Sequence, residues 1–216
     1  MRKNLESDAT IAELVTALRP VRPLSFSQGF GSALAAAALS ACAVVALFGL
    51  RSDLLEGRFD PVHVISSGLF LVLGLSSAAT VVMISRPRVG ADHQGWIWAA
   101  AMLALLPLAA VLVGFGSNTS ILSRENIAGG LECLSIGGCA STLVFGILVW
   151  WLRKGAPTSP DRAGLLSGVA AGSLGIFAFS LHCADNDIVH IGLWHTSVVV
   201  LTATIGRMCV PPLVRW

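Results

Sequence analysis

The sequence predicts an all-α protein threaded through a lipid bilayer by six helices, with both ends of the chain in the cytoplasm. Three observations carry that expectation. Of 216 residues, 55% are hydrophobic and 12% charged, whereas charged residues make up about a quarter of a soluble globular domain. Six runs almost free of charge occur at about 29–50, 62–84, 95–116, 127–152, 163–181 and 188–206. Each is close to the roughly 20 residues that a helix rising about 1.5 Å per residue needs to cross some 30 Å of hydrocarbon. Eleven of the fourteen Lys and Arg fall in the N-terminal segment, the connections after the second and fourth runs, and the C-terminus, which places those segments inside by the positive-inside rule. Continuous apolar runs also argue against a barrel, whose strands would alternate over about ten residues.

Two regions follow from this reading: a cytoplasmic segment at 1–28 and a six-helix membrane region at 29–216. The first 28 residues hold no early apolar run of the kind that opens a cleavable signal peptide. Within them Leu5, Ile11, Leu14, Val15 and Leu18 share one face at helical spacing. Asp8 or Thr10 could cap such a helix and Pro20 would stop it. A short amphipathic helix of this kind either lies on lipid headgroups or seats its apolar face in a groove on a soluble partner.

In the first run, Leu39-Ser40-Ala41-Cys42 has the form of a lipoprotein processing box, but the apolar run continues through Cys42 where a polar tether should start. Cys42 therefore reads as a small buried hydrophobe. Pro107 should kink the third span, and the Trp residues at 96, 98, 150, 151, 194 and 216 fit interfacial belts. Gly164, Gly168 and Gly172 recur every fourth residue in the fifth span, a small-residue ridge that lets another helix approach closely in lipid.

Polar chemistry collects on the outer side. His63 opens the second span, Glu132 and Cys133 lie near the outer end of the fourth, and Cys139 sits about two turns deeper. His182, Cys183, Asp185, Asp187 and His190 occupy the connection between the fifth and sixth spans, with His195 a little farther on. Cys133 and Cys183 fall at one depth on different helices. They could form a disulfide if their Cα atoms lie within about 4.4–6.8 Å. They could equally join His182, His190, His195 or His63 in a soft N/S site for zinc, copper or cadmium, or simply pack. No Cys-x-x-Cys or His-x-x-x-His spacing is present, and the five-residue interval from His190 to His195 would turn the two rings to different faces of an α-helix.

Several function classes drop out. There is no dense basic cluster, so direct nucleic-acid binding is not expected. No phosphate-cradling loop, nucleophile elbow or pair of buried carboxylates is present, and an enzyme is not expected; no cofactor is implied. A thiol oxidoreductase would carry a Cys-x-x-Cys pair. A small metal-handling or transport protein with a His/Cys site at the outer face remains an alternative.

Four segments resemble the NrsF-type bacterial proteins: Leu14-Val15-Thr16-Ala17-Leu18-Arg19-Pro20-Val21-Arg22-Pro23-Leu24, Glu132-Cys133-Leu134, the Gly168 to Gly172 ridge leading to Leu181-His182-Cys183, and Trp194. That family consists of six-span inner-membrane anti-sigma factors, and the resemblance covers nearly the whole chain. It implies that the segment holding Leu14, Val15, Leu18, Arg19, Pro20, Val21 and Arg22 helps keep an extracytoplasmic-function sigma factor at the membrane. It also implies that Cys133 and Cys183 are the paired thiols through which redox or heavy-metal stress is perceived. The chain departs from the family pattern at Phe179, Ala184, Asp185 and His195.

Overall fold

The computed structural model describes residues 11–16, 24–86, 95–116 and 124–214. These residues form helices and connections, with no strand among them. A short helix α1 covers 11–16 and leaves Ile11, Leu14 and Val15 exposed. The remainder of the expected N-terminal helix and its Arg-Pro break, with Leu18, Arg19, Pro20, Val21 and Arg22, lie outside the described residues.

Helix α2, Phe26–Phe48, starts where the Ser25 hydroxyl accepts the Gln28 N–H. It ends at Gly49, whose φ of +88° suits a residue without a Cβ. One turn, α3 (Ser52–Leu55), leads to α4, Pro61–Ile84. Asp60 caps α4 by accepting from the Val62 and His63 N–H groups, and Pro61 takes the first helical position, where its missing N–H costs nothing. Helices α5, Gly95–Gly116, and α6, Arg124–Lys154, follow. Helix α7, Pro160–Ser180, is joined through 181–187 to α8, Ile188–His190, a π-helical turn Ile191–His195, and α9, Thr196–Val214.

Among the described residues, five helical stretches are long and apolar enough to cross a membrane: Phe26–Phe48, Pro61–Ile84, Ile127–Lys154, Pro160–Ser180 and Ile188–Val214. Helix α5 matches the third expected run in its bounds. The last stretch continues past its expected end at 206, with Arg207, Pro211 and Pro212 inside α9. Side chains such as Leu47, 76% exposed, and Met208, 71% exposed, line the outside of the bundle, a cost in water that disappears against lipid tails.

Helix α7 is the centre of the fold. Every residue from Leu166 to Ile176 is buried, and α7 packs against α2, α4, α6 and α9. Small residues make this possible. Gly74 receives Leu174, and Gly175 rests on the Ser141 backbone of α6, so that a Cβ on either glycine would come within 2.7 Å of a neighbour. The tightest seam joins α7 to α9, where Gly164, Gly168 and Gly172 face Gly206, Ala203, Thr202 and Val199. A Cβ at Gly168 would sit 2.6 Å from Ala203 Cα, and one at Gly172 would sit 2.9 Å from Val199 Cα. Thr202 Oγ1 donates across the seam to the Gly168 carbonyl at 2.9 Å.

Two tryptophans expected at an interface are packing residues instead. Trp151 is buried and donates its indole N–H to Ser85 Oγ at 3.1 Å, filling the hollow left by Gly29 of α2. Trp194 occupies the hollow left by Gly130 of α6. Trp150 does face outward, with Lys154 Nζ 3.4 Å from its ring centroid. Cys42, expected to be buried, is exposed on α2, because the face of α2 that turns inward carries Gly29, Ala33, Ala36, Ser40 and Val44.

Candidate functional site

At the end of the bundle opposite Trp151, α6, α8 and the 181–187 connection bring thiols and imidazoles together. Cys133 faces inward from the first turns of α6, and its Sγ lies 3.2 Å from His190 Nε2. Cys183 follows α7, its N–H bonded to the Phe179 carbonyl at 3.0 Å. One donor atom from each of Cys133, Cys183, His190 and His195 lies within 4.8 Å of all the others. Cys133, His190 and His195 are buried and Cys183 is half-buried. Both cysteines are free thiols.

The expectation that His190 and His195 face different ways is overturned, and the cause is local backbone geometry. The chain between them is a π-helical turn, whose i→i+5 bonding winds the backbone more loosely than an α-helix. Residues five apart then fall nearly beneath one another, and the two rings meet edge to face with centroids 5.7 Å apart. A single wide turn therefore converts an unpromising spacing into a paired set of ligands.

His182 and His63 do not join the cluster. His182 packs near Phe48 and Phe179, with ring centroids 5.5 and 5.9 Å away, and its Nδ1 lies 3.1 Å from the Gly49 carbonyl. His63 is held by Arg51, a residue that sequence reasoning used only as a charge for orientation. Arg51 is buried, yet each of its five N–H groups has a partner. Nε and Nη2 donate to the two Asp53 carboxylate oxygens at 2.6 and 2.7 Å, and Nη1 to His63 Nδ1 and the Cys183 carbonyl, each at 2.8 Å. Nη2 also donates to Asn186 Oδ1 at 3.0 Å. An arginine side chain has no acceptor, so His63 Nδ1 must accept, which leaves the ring hydrogen on Nε2. The Arg51 backbone N–H adds a bond to the Leu181 carbonyl at 3.0 Å. Arg51 thus clamps the α2–α4 connection to the segment carrying Cys183.

The electrostatics favour a reactive sulfur in that segment. The neighbouring Cys133 thiol, followed by the His190 and His195 imidazoles, stabilises Cys183 as a thiolate and holds its pKa below the ordinary thiol range, against the opposing effect of burial. The thiolate is the form that reacts with electrophiles and binds metal. Asp185 approaches His190 from outside, its Oδ2 3.4 Å from Nδ1. Two thiols and two imidazoles are the donor types that suit zinc, copper or cadmium.

The clamp gives a first prediction. Arg51→Ala strands the Cys183 carbonyl, Asn186 and His63 without their donor. At about 1.5–3 kcal/mol for a hydrogen bond to a charged group, thermal unfolding of the purified protein in detergent should shift down clearly, and Cys183 should alkylate faster. The Arg51 guanidinium also holds the Asp53 carboxyl below the usual carboxylate range. A lowered pKa contributes stability that is full above the unfolded value, about 3.9, and is lost as pH falls through the folded value. Acidification from pH 5 downward should therefore lower the melting temperature more in the wild type than in Asp53→Asn.

Comparison with known proteins bears on the whole chain. The family described as negative regulator of sigma F, NrsF, matches residues 14–216. A probable anti-sigma-F factor NrsF of Azospira oryzae is 24% identical over 216 residues, covering 98% of this chain and 100% of that protein. The anti-sigma-F factor NrsF of Caulobacter vibrioides is 27% identical over 206 residues, covering 91% and 90%. No solved structure matches. With the match running from α1 through the thiol cluster to the last residue, the chain belongs to the NrsF family.

Proposed function

We propose that this chain is a membrane-bound anti-sigma factor: a six-span protein of a bacterial inner membrane, both termini in the cytoplasm, that sequesters an extracytoplasmic-function sigma factor and releases it under redox or heavy-metal stress. The observation that carries this reading is the extent of the family match, from residue 14 to residue 216, which takes in both the N-terminal helix and the cysteine cluster. Helix α5 supplies the sixth span, being 22 residues long with a strongly apolar sequence.

The two ends of the molecule have separate roles in this reading. Residues 1–28 bind the sigma factor. The exposed Ile11, Leu14 and Val15 of α1 present an apolar face of the type that docks as a helix in a groove, and Leu18 and Arg19-Pro20-Val21-Arg22 follow it in the sequence. Cys133 and Cys183 read the stress at the other end. Their state sets how α6 sits against the pair α7 and α9, and the glycine seam makes that pair move as one body. A full switch from 1:99 to 99:1 needs a difference of about 5.5 kcal/mol in sigma affinity between the two states, and repacking one helix against two others is large enough to supply it. No catalytic step and no cofactor belong to this reading.

The test is capture of the cognate sigma factor, encoded beside such a regulator, by residues 1–28 fused to an unrelated single-span anchor. Retention within about tenfold of the full-length protein is expected. Retention by the full protein with none by the fusion would move the docking surface elsewhere. A second reading, a small metal-handling or transport protein, is favoured by the Cys/His cluster; it requires ion flux across sealed proteoliposomes, whereas a regulator gives none.

A further inference from the structure

The four-residue cluster is built like a metal site in ways that a sensor made of two thiols does not need. We propose that Cys133, Cys183, His190 and His195 form a tetrahedral site for one thiophilic d10 cation, of the zinc, cadmium or copper(I) class, with Asp185 as the carboxylate that positions His190. The regulatory consequence rests on the anti-sigma reading; the binding of the ion does not.

Four observations converge on it. First, the donors come from two separate parts of the fold and meet within 4.8 Å. Tetrahedral Cys2His2 coordination, with metal–sulfur bonds near 2.3 Å and metal–nitrogen bonds near 2.0–2.1 Å, needs neighbouring ligands about 3.4–3.8 Å apart, so closing on an ion takes roughly 1 Å of movement. Secondly, His190 presents Nε2 to Cys133 while Nδ1 lies 3.4 Å from Asp185 Oδ2. A carboxylate behind one ring nitrogen keeps the proton there and leaves the other lone pair for a metal, the usual outer-shell arrangement for a ligating histidine. Thirdly, His195 is 3% exposed and its Nε2 has no hydrogen-bond partner. A buried imidazole nitrogen left without a partner is costly, and an incoming ion is one way to satisfy the ring. Phe70 and Phe179 flank that ring, each with its centroid 6.2 Å away, so its surroundings on that side are apolar. Finally, the backbone adopts a π-turn at the five residues that bring the two rings together, a distortion frequently found at functional sites.

Binding is a simple exchange. The cation enters, the two cysteines ligate as thiolates, and whatever protons they still carry pass to water. The ion then ties α6 to the α8–α9 segment and the 181–187 connection through four bonds. Neither cysteine changes oxidation state, which separates this step from disulfide formation.

The experiment is cadmium titration of the full-length protein, purified in detergent under reductant, followed by the ultraviolet thiolate-to-cadmium charge-transfer band. One ion per chain is expected, displaced by excess zinc. His195→Phe, which keeps the ring volume, and His190→Ala should each weaken binding by 100-fold or more. Asp185→Asn, at a partly exposed position, should weaken it about 10-fold, in the range for outer-shell partners, without altering the band. No stoichiometric binding by the wild type, or unchanged affinity in His195→Phe and Asp185→Asn, would overturn the four-ligand site, the second outcome reducing it to a bare dithiolate. Sigma capture on the same samples fails or holds independently: stoichiometric cadmium with no sigma binding would sink the anti-sigma reading and leave the metal site standing.

Discussion

Gly168→Leu is expected to cost about 3 kcal/mol or more of stability in detergent and to remove most of the folded protein from membranes. A first Cβ at this position already falls 2.6 Å from Ala203 Cα and 2.6 Å from the Thr202 carbonyl carbon. Both are backbone atoms, so no rotamer change can make room and α7 must part from α9. Parting also breaks the bond from Thr202 Oγ1 to the Gly168 carbonyl, and it opens the matching contacts on either side at Gly164 and Gly172. In lipid the separated faces gain nothing from water exclusion, because association of spans rests on close packing and interhelical hydrogen bonds. Overpacking of a core usually costs about 1–3 kcal/mol; a helix buried on all sides, with backbone against backbone, belongs at the top of that range. Gly138→Leu is the control, since a Cβ there meets nothing within 4 Å. Thermal or SDS-induced unfolding of the two purified variants checks the claim, which fails if they unfold alike.

Much of this architecture was legible in the sequence because hydropathy reports length and solvent. The apolar runs mark the helices to within a few residues, apart from the last, which runs on from 206 to Val214, and the four-residue interval of Gly164, Gly168 and Gly172 identifies a packing face. The same pattern does not name the partner. Gly206 completes the seam from α9, but a single glycine in an apolar run has no period to announce it. The site shows a sharper limit. Helical spacing placed His190 and His195 apart because it assumed one winding throughout, while the structure inserts a π-turn that no apolar pattern encodes. Arg51 enters the sequence reading only as one of three outer charges; its burial depends on Asp53 from the α2–α4 connection, His63 from α4, and Asn186 and the Cys183 carbonyl from the 181–187 connection. Contacts of that range are set by tertiary packing. Trp151 and Trp194 illustrate the same point, since tryptophan near a helix end suits an interface equally well until Gly29 and Gly130 open hollows for it.

Replacing both Cys133 and Cys183 by serine is expected to leave the sigma factor held and to abolish its stress-induced release, with at least a tenfold loss of induced transcription from the sigma-dependent promoter. The substitution is mild in volume, and a serine hydroxyl at 133 can still reach His190 Nε2, now 3.2 Å from sulfur, so the resting fold should persist. What disappears is the soft nucleophile. The neighbours of Cys183 favour its thiolate, and a thiolate without its partner can be modified but cannot close a bridge or share an ion. The pair is therefore expected to act as a unit: each single serine variant should lose as much induction as the double, a non-additivity characteristic of groups in direct contact. Additive halves would mean two independent sensors. Full induction in the double variant would mean that the stimulus enters elsewhere, and the proximity of the two sulfurs would then report packing at the α6–α7 junction alone.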